Sequence, residues 1–296
     1  MPQSSDDGKA LRDQIHSTGR RGFLVEASRG GRKLFVYGGA TVSRREYFPL
    51  NLPLMQALAQ STALLLDVDP GNSKALAQAA AASGTLPTGV SLDKLVSPQT
   101  WAQLQTAAAS IRTSPASYLG LKPWLAALVL RQQFAAANGY DVGQNTQLYL
   151  IGYAQGAKLP ILELEGAQTQ LRLLDGMSAE AQMQLLDQAV ASIASGQERR
   201  KLQLLVDEGW ARGNHVPVDQ ANAMEAEGGA RHAAYAVFHS RVWLAARSQR
   251  LVDIIERSME GTSVPLVALP ASGVVGNGAL LSELVRRGYA LRDIQQ

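Results

Sequence analysis

The residues of this chain that could do chemistry sit at the ends of apolar runs. Asp67 and Asp69 close LLLDVDP, and Glu163 and Glu165 lie in LELEGAQTQL. A two-residue spacing on a strand turns both members of a pair to one face, which suits general acid and base work or a hard divalent ion. Thr41 follows Gly38-Gly39-Ala40 at the end of the run LFVYGG. As a nucleophile it needs an adjacent base, and no His lies near it in the sequence. His232 and His239 are seven apart in a helical stretch, with no carboxylate placed beside them, so they read as surface or packing residues. His215, after Gly213-Asn214, reads as a solvated loop residue. The segment Gly273-Val274-Val275-Gly276-Asn277-Gly278 precedes a helix and has the composition of an anion cradle. It is not the dinucleotide order G-x-G-x-x-G and no Walker Lys follows, so it reads as turn geometry. Trp124, Trp210 and Trp243 read as core.

These side chains must be held by elements that the pattern predicts. Residues 22–26 and 34–37, around the turn Ser28-Arg29-Gly30-Gly31, form a hairpin. A helix over 52–59 and a buried strand over 63–68 follow. Residues 70–96 have mixed periodicity and read as helix and loop. Ser97-Pro98 is an N-cap followed by a first-turn Pro, starting a helix to about 111. A second helix over 121–137 stops at Asn138-Gly139. Beyond it come a helix over 146–155, a strand over 159–165, and a helix from Ser178 to Gly196. More helix runs to about 208, and from 221 a break at Gly228-Gly229 leads into one long helix over 230–259. Strand 264–269, a Gly-rich loop, helix 279–287 and a last strand over 290–294 close the chain. The expected class is α/β, with a mixed central sheet built from both chain ends, many flanking helices and a helical middle.

Composition narrows the function. With 296 residues, 46% hydrophobic and 18% charged, the chain can bury a full core. The net charge of +3 is spread without a basic run, which argues against nucleic acid as a partner. Cys is absent, so disulfides, thiolate metal sites and thiol nucleophiles are excluded. No window reaches the ~18 apolar residues of a membrane span. The polar N-terminus has no apolar signal core; the expected location is the cytoplasm, or the periplasm or exterior if a signal peptide has been removed. Residues 1–18 are expected to form a mobile tail, and 19–296 a single domain with α/β ends at 19–70 and 262–296 around a helical middle at 71–261.

The motifs VYGGATVS, YFPL, LLLDVDP, LKPWLAAL, GQNTQLYL, LELEGAQTQL, SAEAQMQLL and the ending GALLSELVRRGYAL, in this order, resemble the TraB/GumN family, which includes the Tiki metalloproteases and is related in fold to the EreA/ChaN group. The resemblance runs from about residue 22 to the end. It implies an EreA/ChaN-like fold and a site built from two Gly-x-x-His motifs with acidic residues that hold a divalent metal. Carried over position by position, the first motif is Gly38-Gly39-Ala40-Thr41, with Thr41 in the His place. The second is Pro270-Ala271-Ser272-Gly273, with Gly273 in the His place. Asp67 stands for the family Glu, one methylene shorter, and Glu165 stands in the Leu-Glu motif. Asn145 replaces an Asp, Gly213-Asn214 stands for Gly-Asp, and Ser240-Arg241-Val242 stands for Glu-Arg-Asn, keeping only Arg241.

Two function classes follow. In one, the chain is a catalytically degenerate relative that binds a peptide or protein in the old cleft, with no metal and no cofactor. In the other it is a metal-dependent, protease-like hydrolase with a rearranged site using Asp67 and Glu165. The candidate site positions are Thr41, Asp67, Glu165, Arg241 and Gly273, and the Glu163/Glu165 pair reads equally as general acid and base or as a carboxylate satisfied by Arg241.

Overall fold

A computed structural model describes residues 19, 21–226, 229–259 and 261–295. The expected N-terminal tail lies outside them. A six-stranded mixed sheet runs through the molecule, built from β1 (Phe23–Arg29), β2 (Arg32–Gly39), β3 (Ala63–Leu66), β4 (Ile161–Glu163), β5 (Pro265–Pro270) and β6 (Ala290–Asp293) in the order β4-β3-β5-β2-β1-β6. β1 pairs antiparallel with β2 and β6, while β2, β5, β3 and β4 are parallel neighbours. The sheet therefore joins both chain ends, with the C-terminal β5 inserted between the N-terminal β2 and β3.

Strand alternation divides the core into two layers. Leu24, Phe35, Tyr37, Leu64, Leu66, Leu266 and Ala268 face the helical middle region. Phe23, Leu34, Val36, Leu65, Val267 and Leu269 face the opposite layer, which carries Leu251, Val252 and Ile255 of the helix Arg247–Ser258 with Leu280 and Leu284 of Leu280–Arg286. Both faces of β5 are covered, so PLVALP reads as an unbroken apolar run, as a central parallel strand must.

Cap chemistry sets several helix starts where the sequence predicts them. Ser97 accepts from the Thr100 N–H at the head of Pro98–Ser110, Asn145 caps Thr146–Gly156, and Ser178 caps Ala179–Ala194. The ambiguous stretch 70–96 contains the helix Ser73–Gly84 and a single turn Leu92–Leu95.

Three expectations change. The middle strand is shorter than 159–165, because its pairing with β3 covers only Ile161–Glu163 against Leu64–Leu66, which leaves Glu165 beyond its end. The Gly-rich loop after β5 opens with a helical turn, Ala271–Val274. The long helix over 230–259 is instead a chain of segments: a 3₁₀ turn Gly229–His232, an α turn Ala233–Val237, a π-helix Phe238–Ala246 and the helix Arg247–Ser258. A second π-helix spans Gln203–Gly209. Among the described residues, no helix is long and apolar enough to cross a membrane.

Candidate functional site

The parallel strands end together. Gly39 pairs with Pro270, and Leu66 pairs with Ala268 on one side and Glu163 on the other, so the loops after β2, β3, β4 and β5 leave the same edge of the sheet. This is where open parallel sheets bind ligands. The GGAT turn is fixed there by close packing. A Cβ on Gly39 would lie 2.0 Å from the Thr146 hydroxyl oxygen, and one on Gly38 would lie 3.2 Å from the Val274 Cβ. Without those side chains the helix Thr146–Gly156 docks end-on, its Thr146 N–H and hydroxyl donating to the Ala40 carbonyl at 3.0 and 3.2 Å. The glycines are a seat for that helix.

The same helix start delivers Gln147 to Asp67. Its Nε2 donates to Asp67 Oδ1 and to the Ala268 carbonyl, both at 2.9 Å. Asp67, just past β3 and 5% exposed, also accepts from the Val68 N–H at 3.0 Å, Gln170 Nε2 at 3.3 Å and Arg247 Nη2 at 2.9 Å. Glu165 is drawn beside it by the backbone, since the Glu165 and Gly166 N–H groups both donate to the Asp67 carbonyl. Its side chain, only 4% exposed, accepts from Arg247 Nε at 2.7 Å. One buried guanidinium thus bridges two buried carboxylates, and its central carbon lies over the Trp243 ring, 4.7 Å from the centroid.

Asp67 and Arg247 floor a cleft of about 430 Å³ walled by Thr41, Gln147, Gln170, Trp243, Ser272 and Gly273. Thr41 is exposed at its rim. A Cβ on Gly273 would meet nothing within 4 Å, so the place of the second imidazole opens into space. Thr41, Asp67 and Gly273 line the cleft, and Glu165 is joined to it through Arg247.

Arg241 is not part of it. The residue is exposed and makes no bond to either carboxylate; Arg247 takes the role expected of it. The reason is helical phase. Trp243 and Arg247 are four apart and share a face, whereas Arg241 is two residues from Trp243 and points about 200° away. Tyr235, His239, Trp243 and Arg247 recur every fourth residue. The wide i→i+5 turn of the π segment offsets the forward drift that this spacing has in a 3.6-residue helix, which keeps the stripe on one side. That spacing groups Arg247 with Trp243 in the sequence, but only the fold sets the stripe beside Asp67 and Glu165, where Trp243 walls the cleft.

The carboxylate pairs also separate. Glu163 is exposed and accepts from the Asp69 N–H at 2.7 Å, while Glu165 faces Arg247, because Asp67, Asp69 and Glu165 all lie past the ends of their strands, where strand alternation no longer applies. His232 is buried against Asp187 at 3.0 Å, a packing role, and His215 heads the helix His215–Ala226 with Asp219 at 3.0 Å. Lys122 and Trp124 both donate to Asp175, which ties the Lys-Pro-Trp helix to its neighbour.

As a divalent-metal site this donor set fits poorly. Asp67 already accepts four hydrogen bonds, Glu165 faces a guanidinium, and Thr41 and Gly273 offer no imidazole. Among the described residues, no three His, Asp or Glu side chains are grouped as metal ligands. None of the cleft-lining residues is a His that could serve the hydroxyls of Thr41 or Ser272 as a base.

A family model described as the TraB/PrgY/gumN family matches residues 23–293. "Uncharacterized protein YbaP" of Escherichia coli (strain K12) is 24% identical over 145 residues, 49% of this chain and 53% of that protein. The match spans about half the length of that relative. No solved structure matches the chain.

Proposed function

The chain belongs to the TraB/PrgY/gumN family, and from that premise we propose that it is a catalytically degenerate member whose cleft binds an extended peptide or protein segment without cleaving it. The observation that carries this reading is the Asp67–Arg247–Glu165 triad. Metal-assisted hydrolysis needs carboxylate lone pairs free for an ion or for a water proton. Here the guanidinium and the two Gln amides take them. What the cleft presents to a ligand is an indole face, the apolar surfaces of Pro70, Leu76, Leu128 and Pro270, and the hydroxyls of Thr41 and Ser272. Such a mix of apolar wall and a few fixed polar groups is the make-up of a binding site.

The competing reading, a hydrolase using Asp67 and Glu165, requires at least one carboxylate to part from Arg247. Fluorescence anisotropy decides between them. The probes are fluorescein-labelled heptapeptides with Leu, Phe, Tyr, Lys or Glu at the centre of an alanine frame, and the same peptides are followed by mass spectrometry. Saturable binding that Gly273→Trp abolishes, with the peptides left intact, is the expected outcome. Chelator-sensitive cleavage that Asp67→Asn removes would establish the hydrolase instead, and no binding by any peptide would end the proposal.

A further inference from the structure

A second cavity, of about 330 Å³, adjoins the cleft and shares Leu128, Gln170, Trp243 and Ser272 with it. Its apolar wall is incompletely covered. The π-helix Phe238–Ala246 carries Phe238, Val242, Trp243 and Leu244, yet none of its nine residues is buried. The helix Arg247–Ser258 that continues it does bury Leu251, Val252 and Ile255. Phe238, Trp243 and Leu244 face the cavity instead, where they meet Leu128, Leu171 and Leu205, which are also half-buried. Six large apolar side chains left part-wet forfeit burial free energy that an occupant would recover, and concentrations of such surface mark ligand sites.

Size and charge define the occupant. An apolar protein cavity of roughly 150 Å³ takes benzene, so this one has room for a single large side chain and none for a helix, about 10 Å across. The charged residues at its far end already satisfy one another. Glu225 accepts from Arg131 at 2.9 Å and pairs with Lys201, which pairs in turn with Glu198 at 3.0 Å. Two cations meet two anions, so a charged ligand group would be buried without a counter-ion, at high cost. Burial outweighs the pull of Glu225 and holds His239 below its usual protonation range, so it supplies no further charge.

We propose that this cavity anchors one uncharged hydrocarbon side chain, of leucine or phenylalanine type, turned inward from a peptide segment lying in the adjacent cleft. The peptide context rests on the reading above; the pocket's preference for hydrocarbon does not. Leu128 and Trp243 belong to both walls, so a side chain passing from cleft to cavity stays on apolar surface throughout.

Titration calorimetry with N-acetyl-leucinamide, and with its phenylalanine, alanine, lysine and glutamate analogues, tests the pocket without the peptide. The leucine and phenylalanine analogues are expected to bind with Kd on the order of 1 mM. The alanine analogue, three carbons shorter than leucine, should bind about 50-fold more weakly, and the charged analogues no better than alanine. Leu171→Trp and Leu205→Trp fill the cavity from half-buried positions that do not line the cleft. Either should abolish leucinamide binding, with circular dichroism confirming which variants fold. Equal affinity for the leucine and alanine analogues in wild type, charged analogues bound as tightly as leucine, or binding unchanged in a folded filled variant overturns the proposal. If the heptapeptides fail to bind while the amides bind in this order, the peptide reading falls and the pocket stands. If the heptapeptides bind with no preference for Leu or Phe over Lys or Glu at the centre, the pocket falls and the cleft reading stands.

Discussion

Replacing Arg247 by Met is the sharpest perturbation of the site. Its side chain is 6% exposed, against 7% for Asp67 and 4% for Glu165, so its loss leaves two carboxylates in the protein interior. Removing one partner from a buried ionic group costs about 3–5 kcal/mol. The structure predicts how the loss divides. Asp67 keeps the Val68 N–H and the amides of Gln147 and Gln170. Among the described residues, Glu165 keeps only Arg250, at 3.9 Å on a half-exposed side chain. Glu165→Gln in the Arg247→Met background should therefore recover about 1–3 kcal/mol, and Asp67→Asn distinctly less. With a urea slope of about 3 kcal/mol/M, the single variant should unfold roughly 1–1.7 M earlier than wild type. The assay is urea titration read by far-UV circular dichroism and Trp fluorescence, whose coincidence checks cooperativity. Freed of the guanidinium, the carboxylates should also gain a hard-ion site, so millimolar Mg²⁺ or Mn²⁺ should raise the variant's midpoint and leave wild type unchanged. A loss below about 1 kcal/mol, or a larger recovery from Asp67→Asn than from Glu165→Gln, would refute the account of a buried bridging cation.

Two further outcomes follow. Gly39→Ala drives a Cβ onto the Thr146 hydroxyl and should destabilise by about 1–3 kcal/mol, whereas Gly273→Ala and Thr41→Ala, in open space and at an exposed rim, should stay within about 0.5 kcal/mol of wild type in urea titration; a tolerant Gly39 would remove the seating argument. For acid sensitivity, burial holds the His239 pKa down, so below its ordinary value of about 6.5 the unfolded chain takes up the proton first and stability is lost as pH falls. For Glu225, burial alone would raise the pKa, but Arg131 and Lys201 outweigh it, so its contribution is present above the ordinary carboxylate range and fades below it. Urea midpoints between pH 7 and 5 should therefore fall more steeply for wild type than for His239→Phe, and parallel curves would count against a buried neutral imidazole.

Much of the architecture is local and so is written in the sequence. The apolar runs at 34–39, 63–68 and 264–269, the caps Ser97 and Ser178, and the stop at Asn138-Gly139 each act over a few residues. The structure puts strands and helices there. The meeting of Thr41 and Gly273 at one sheet edge was reached through motif order, and the register Gly39 to Pro270 supports it. What tertiary structure alone decided is which cation closes the triad. Arg241 and Arg247 are the same residue type within seven positions, and a 3.6-residue projection has no means of seeing that a π segment resets the phase between them. The same limit hid Trp243 as a wall and Gln147 and Gln170 as donors to Asp67, because amides and indoles take their roles from whatever long-range packing sets beside them. The bends that carry Asp67 and Glu165 past their strands likewise follow from the pairing of β3 with β4, a contact between segments about a hundred residues apart.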